Sequence, residues 1–200
     1  MTFLFDIGNV LLKLHFERFH KTVLGSPNAP VPTELATLKD SYEKGEVSDE
    51  DFVRHSLNIL SSPLTPEEFT TAWRDIFLAN TPMWKVVEQL KAQNHRLITF
   101  STTNNSHAEA FLADYSGFDH FDHHHFSHHV GSIKPDPAFY QKAVDTYKID
   151  PAETFYFDDL PENIATGREF GFTSWQYDHR DHQACLDWLA SHKIRLEPPS

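Results

Sequence analysis

Short apolar runs that stop on polar side chains, separated by helix-length stretches, are what most constrains this chain. Thr2-Phe3-Leu4-Phe5 runs into Asp6 and the turn Ile7-Gly8-Asn9. A run over 96–100 stops at Ser101-Thr102-Thr103, and Phe155-Tyr156-Phe157 stops at Asp158-Asp159. Residues 121–126 and 173–176 give two further strand candidates. Between them, helical patterns are expected over 83–93, from the 101–105 turn to 112, from the Asp136 cap to 148, over 161–170 and over 182–193. Strands alternating with helices imply a doubly wound parallel sheet, an α/β Rossmann-like core. Such sheets bind ligands beyond the carboxyl ends of their strands.

Residues 15–80 break this rhythm. Ser48 precedes Asp49-Glu50-Asp51-Phe52, a helix cap with acid in the first turn. Thr65-Pro66-Glu67-Glu68 repeats the logic with proline at the first helical position. Phe69, Trp73, Ile76 and Phe77 follow at helical spacing, and the proline-rich stretch 25–32 reads as a loop. The expectation is a small all-helical cap over 15–80, inserted into a core made of 1–14 and 81–200.

Several function classes drop out. No apolar run reaches the ~18–20 residues of a membrane span, and the first ten residues carry no signal-peptide pattern. One cysteine, Cys185, forms no internal disulfide and suits a reducing cytoplasm. Seventeen basic residues against 29 acidic leave a net charge of −12, which repels phosphate backbones and argues against nucleic acid. A small phosphorylated metabolite is compatible with that field, because one local site can oppose it. A monomer or homodimer is expected.

A parallel sheet would gather Asp6, Ser101, Asp158 and Asp159 at one edge, with Lys134 from Lys134-Pro135-Asp136-Pro137 beside them. Alone, each has an ordinary reading as a turn former, a helix cap or a solvated lysine. Together they form three carboxylates, a hydroxyl and an ammonium. Carboxylates so placed repel unless a cation joins them. Oxygen ligands without a cysteine or histidine cluster favour Mg²⁺. An aspartate can attack phosphorus, and phosphoryl transfer needs mainly positioning and charge neutralisation.

Asp6-Ile7-Gly8-Asn9-Val10, Ser101, Lys134-Pro135-Asp136-Pro137 and Phe157-Asp158-Asp159-Leu160-Pro161-Glu162-Asn163 resemble, in order, the four motifs of the haloacid dehalogenase superfamily. Tyr42-Glu43-Lys44-Gly45-Glu46-Val47-Ser48 and Trp73-Arg74 resemble its helical cap. The nearest resemblance is to the group that includes bacterial alpha-D-glucose-1-phosphate phosphatase and the phosphatase domain of soluble epoxide hydrolase. The resemblance implies a Mg²⁺-dependent phosphatase with Asp6 as nucleophile. It implies metal ligands from Asp6, the Gly8 carbonyl and Asp159, with Asp158 in the same set and Asn163 behind it. Ser101 and the Thr102 amide would hold the phosphate, Lys134 would steady it, and Lys44 is a candidate substrate contact from the cap.

Two positions depart from the superfamily pattern. Gly8 stands where most of its phosphatases carry an acid/base aspartate, and Thr102 where asparagine is commoner. Without that acid, substrates with a stabilised leaving oxygen are expected, a sugar 1-phosphate first. His107, His15 and His20 are candidate substitutes, each with an ordinary reading as a surface histidine. The alternatives are a dehalogenase, a phosphonatase using Lys39 or Lys44, a phosphoryl transferase, or a binding protein without turnover. The histidine-rich stretch 120–129 reads as structural or exposed rather than as a zinc site, and 197–200 as a frayed tail.

Overall fold

A computed structural model describes residues 1–197; of the tail expected to fray, 198–200 lie outside the described residues. Glu197 is held, its backbone exchanging hydrogen bonds with the Gln89 side chain at 2.5 and 3.2 Å.

In chain order the elements are β1 (Thr2–Phe5), β2 (Leu12–Leu14), α1 (Phe16–Leu24), α2 (Thr33–Glu43), α3 (Asp49–Ile59), α4 (Pro66–Arg74), β3 (Phe77–Ala79) and α5 (Thr81–Ala92). They continue as β4 (Arg96–Ser101), α6 (Asn105–Asp114), β5 (His123–Phe126), α7 (Ser127–Val130), α8 (Pro137–Tyr147), β6 (Thr154–Asp158), α9 (Pro161–Glu169), β7 (Thr173–Gln176) and α10 (His182–Ser191). Short 3₁₀ turns occupy Ser116–His120 and Pro151–Glu153.

β5, β4, β1, β6 and β7 form one five-stranded sheet in that order, with every pairing parallel. β1 lies at its centre, with Phe5 opposite Thr99 on one side and Phe157 on the other. Its side chains alternate between two cores, as a strand buried on both faces requires. Phe3 and Phe5 pack with residues of α5, α6 and α10, and Leu4 with residues of α8 and α9. The expected α/β architecture is present.

α1 to α4 enclose a separate aromatic cluster of Phe19, Tyr42, Phe52, Phe69 and Trp73. Their caps are those the sequence encodes. Ser48 Oγ accepts from the Asp51 amide at 3.1 Å, and Thr65 and Glu68 form a reciprocal capping box. The insert is nonetheless not all helical. α4 ends at Arg74, and Phe77 begins β3, which pairs antiparallel with β2 and places Leu14 opposite Phe77. Three-residue strands are too short to show an alternating pattern, and their partners lie some sixty residues apart in sequence, so helical spacing was the stronger local signal.

Part of the histidine run packs into the fold, while His123 and His129 are exposed. His125 is buried, bonded to the Phe139 carbonyl at 3.0 Å and stacked near Phe100. His128 bonds the Thr103 carbonyl at 3.1 Å. Among the described residues, no histidine belongs to a cluster of three metal-type ligands.

Candidate active site

β1, β4 and β6 end side by side, and each delivers its polar residue to the same edge. The Asp6 amide donates to the Phe157 carbonyl at 2.9 Å, which fixes the residue where the strand stops. Ser101, the last residue of β4, donates its hydroxyl to Asp6 Oδ1 at 2.7 Å. Lys134 Nζ lies 3.0 Å from the same Oδ1 and 2.5 Å from Asp158 Oδ2, and it donates to the Phe100 carbonyl at 2.9 Å. Neither contact on Asp6 uses Oδ2.

Asp158 and Asp159 play different parts. Asp158 is fully buried and its oxygens are occupied. Oδ2 takes Lys134 and the Tyr156 hydroxyl, at 2.5 and 2.6 Å. Oδ1 takes the Leu160 amide and Asn163 Nδ2, both at 2.9 Å. Asp159 is half-buried and accepts from Asn9 Nδ2 at 2.9 Å. Asp6, Asp158 and Asp159 each bring an oxygen within 4.8 Å of the others.

Electrostatics follow from this crowding. Burial pushes the Asp6 carboxyl up to about 7; Lys134 opposes the rise, and Asp158 and Asp159 reinforce it. Burial also raises Asp159, against the Asn9 hydrogen bond. For Lys134, burial works to lower the pKa, and the attraction of Asp158 and Asp6 overrides it, so the ammonium is held well above its usual range. Three carboxylates facing one ammonium are short of positive charge. The donors are hard oxygens, which suit Mg²⁺. Asn163 lines the same cavity, and its Oδ1 is a buried acceptor without a partner.

The cavity above these groups holds about 420 Å³ and is walled on its far side by the helical insert. Thr102 lines it, and its hydroxyl accepts from the Lys134 amide at 3.0 Å, fastening the lysine loop to the end of β4. Lys44 is not among the residues that line it. That residue follows the end of α2, while Lys39 and Glu43, one turn back, face the cavity and pair at 2.7 Å. His107 lines the cavity as a neutral ring. Burial pushes it down to about 3, with Nε2 on the Trp73 carbonyl at 2.8 Å and Nδ1 3.1 Å from Asn104 Nδ2. Both ring nitrogens are occupied, so it holds no proton for a leaving group. His15 is exposed, and His20 faces a separate apolar cavity between the insert helices.

Sequence reasoning passed over Asn9, Tyr156 and Glu43. Asn9 takes a left-handed backbone, φ 53°, which asparagine tolerates in a turn, and that conformation aims its amide at Asp159. Tyr156 shares a face of β6 with Asp158 because strand side chains repeat every two residues.

The family model described as haloacid dehalogenase-like hydrolase matches residues 1–171. D-ribitol-5-phosphate phosphatase of Bacteroides thetaiotaomicron is 23% identical over 183 residues, which cover 86% of this chain and 89% of that protein. Bifunctional epoxide hydrolase 2 of Rattus norvegicus is 30% identical over 99 residues, 48% of this chain but 18% of the relative. A HAD family enzyme of Bacteroides thetaiotaomicron, crystallised with magnesium and inorganic phosphate, superposes with a TM-score of 0.78 at 22% identity, covering 89% of this chain and 94% of that one. An L-2-haloacid dehalogenase from Xanthobacter autotrophicus gives 0.62 at 15% identity over 98% of this chain and 84% of that one. At these identities the solved structures bear on the fold alone.

Proposed function

Because this chain belongs to the haloacid dehalogenase-like hydrolases, we propose that it is a Mg²⁺-dependent phosphatase of a small phosphorylated metabolite, a sugar 1-phosphate first. In this reading 15–80 form a cap over a core of 1–14 and 81–200. The observation that carries it is Asp6 Oδ1, held by Ser101 at 2.7 Å and Lys134 at 3.0 Å, with neither contact using Oδ2. The lone cysteine, Cys185, buried and free, supports a cytoplasmic setting.

Asp6, the Gly8 carbonyl and Asp159 would hold Mg²⁺, which when bound neutralises phosphate charge. Asp158 would act through Lys134 rather than as a ligand, because its four contacts already engage both oxygens. The Ser101 hydroxyl, the Thr102 amide and Lys134 orient the phosphoryl group. An oxygen of Asp6 attacks phosphorus as the bond to the leaving oxygen breaks. Water then attacks the phosphorus of the aspartyl-phosphate, giving inorganic phosphate and restoring the carboxylate.

Gly8 shapes the substrate choice. A methyl added there would lie 3.1 Å from Leu14 Cδ1 and 3.9 Å from Asp6 Oδ2, so a side chain at this position would project beside the nucleophile. General acid help is worth about 10²–10⁴-fold. Lacking it here, the enzyme favours leaving oxygens that depart readily as anions, such as anomeric, acyl and aryl ones. The relative named for ribitol 5-phosphate supports a polyhydroxy substrate.

The test is phosphate release from glucose 1-phosphate, glucose 6-phosphate, ribitol 5-phosphate, acetyl phosphate and 4-nitrophenyl phosphate, with Mg²⁺ and with EDTA. Release by the parent is expected only with Mg²⁺, and none by Asp6→Asn. Glucose 1-phosphate should exceed glucose 6-phosphate by about tenfold or more in kcat/KM. Metal-independent release, or full activity in Asp6→Asn, sinks the mechanism; equal rates on the two glucose phosphates sink the role given to Gly8.

A further inference from the structure

Resting on that reading and extending it, we propose that the Lys39–Glu43 pair is the subsite for hydroxyl groups of the leaving group, so that the substrate is a monophosphate of a sugar or polyol. Both residues lie on α2, one turn apart, and both face the cavity that opens onto Asp6. Glu43 is a charged side chain in an unusual place, with only 7% of its surface exposed. A buried carboxylate is costly unless it is paired and hydrogen-bonded. Lys39 Nζ at 2.7 Å satisfies Oε2, and the bond leaves Oε1 outside the pair. A carboxylate offers about four acceptor positions and an ammonium three donors. Side by side they match hydroxyl groups, each of which donates once and accepts as well.

The charge of this wall decides against a second anion. Lys39, Glu43 and Asp40 all line the cavity and sum to −1. A second phosphate there would meet net repulsion, whereas neutral hydroxyls would not. Phe16, Phe77 and Leu14 add apolar wall for the carbon skeleton. Lys39 also borders the apolar cavity between the insert helices, while its ammonium is held against Glu43 at 2.7 Å. The mechanism uses neither residue of the pair, so their place above the nucleophile calls for another role.

The test is a selectivity ratio: kcat/KM on glucose 1-phosphate or ribitol 5-phosphate, whichever the parent turns over better, divided by kcat/KM on 4-nitrophenyl phosphate. Both are measured on one preparation, so any loss of folded protein cancels. Glu43→Ala should lower the ratio about 10–100-fold, mainly through KM for the hydroxylated substrate, as expected for loss of hydrogen bonds to a charged group. A fall of less than tenfold overturns the assignment, whether neither substrate suffers or both suffer alike. For Glu43→Gln, which keeps the volume should the alanine variant not fold, threefold is the dividing line. A parent active on 4-nitrophenyl phosphate but on no sugar or polyol phosphate overturns this inference and leaves the phosphatase reading standing. A parent active on neither takes both down.

Discussion

Lys134 shows how one residue carries the site. Its ammonium, 2% exposed, bridges Asp6 and Asp158, and removing it would leave two buried carboxylates facing each other. Breaking a buried pair from one side costs about 3–5 kcal/mol. Lys134→Met should therefore lose stability of that order in urea unfolding without Mg²⁺. Adding Asp158→Asn to the same chain should return part of the loss while phosphate release stays absent. If the double variant is no more stable than Lys134→Met, the carboxylates are not what Lys134 is there to balance. That these residues would meet was legible in the sequence because Asp6, Ser101, Asp158 and Asp159 each end an apolar run, a position that topology converts into proximity. Lys44 was misplaced for a related reason. It stands just past the end of α2, and which residue of a helix end faces a cavity depends on how the helix is docked. The α2 residues that line it are Lys39, Asp40 and Glu43.

At the scale of elements, the docking of the insert turns on Gly45. It follows α2 with φ +74°, and a methyl there would lie 2.2 Å from the His128 carbonyl oxygen in α7. Gly25, after α1, has φ +77° and open space around it. Gly25→Ala and Gly45→Ala thus share a backbone cost of about 1 kcal/mol, and only the second pushes the insert off the core. The expected outcome is a similar small drop in melting temperature from backbone strain in both, a further drop in Gly45→Ala, and about tenfold or greater loss of phosphatase activity in Gly45→Ala alone. Equal activities in the two variants would mean that this contact does not position the insert. The helices around Gly45 were readable from Ser48 and Thr65, whose caps are local chemistry. The β2–β3 ribbon was not readable, because its stability comes from pairing Leu12 with Ala79 across the whole insert.

Across the whole molecule, buried histidines tie stability to pH. Burial pushes His125 down to about 4 and His107 down to about 3. In the unfolded chain each titrates near 6.5, so below that pH the unfolded state takes up protons that the folded state refuses. The stabilisation is complete above about pH 6.5 and is lost as pH falls toward 4. Asp6 works in the opposite sense, since its pKa is raised and its contribution is lost as pH rises from about 4 to 7. A comparison of variants cancels it. The stability advantage of the parent over His125→Gln should shrink by about 2–3 kcal/mol between pH 7 and pH 4.5. A constant difference would show that His125 gains a proton in the folded state.

The order of strands has a consequence for how the chain reaches this state. β1 is translated before any of its neighbours, yet it lies between β4 and β6, with Thr2 opposite both Arg96 and Thr154. The strand that leads into Asp6 therefore emerges unpaired, waiting first for a partner more than ninety residues later and then for one about 150 later. Contacts of such long range slow folding and leave an apolar strand open to wrong partners in the interval. The helical insert, whose contacts lie within a much shorter span of sequence, is in a position to assemble on the ribosome while the sheet edge that carries Asp6 is still incomplete.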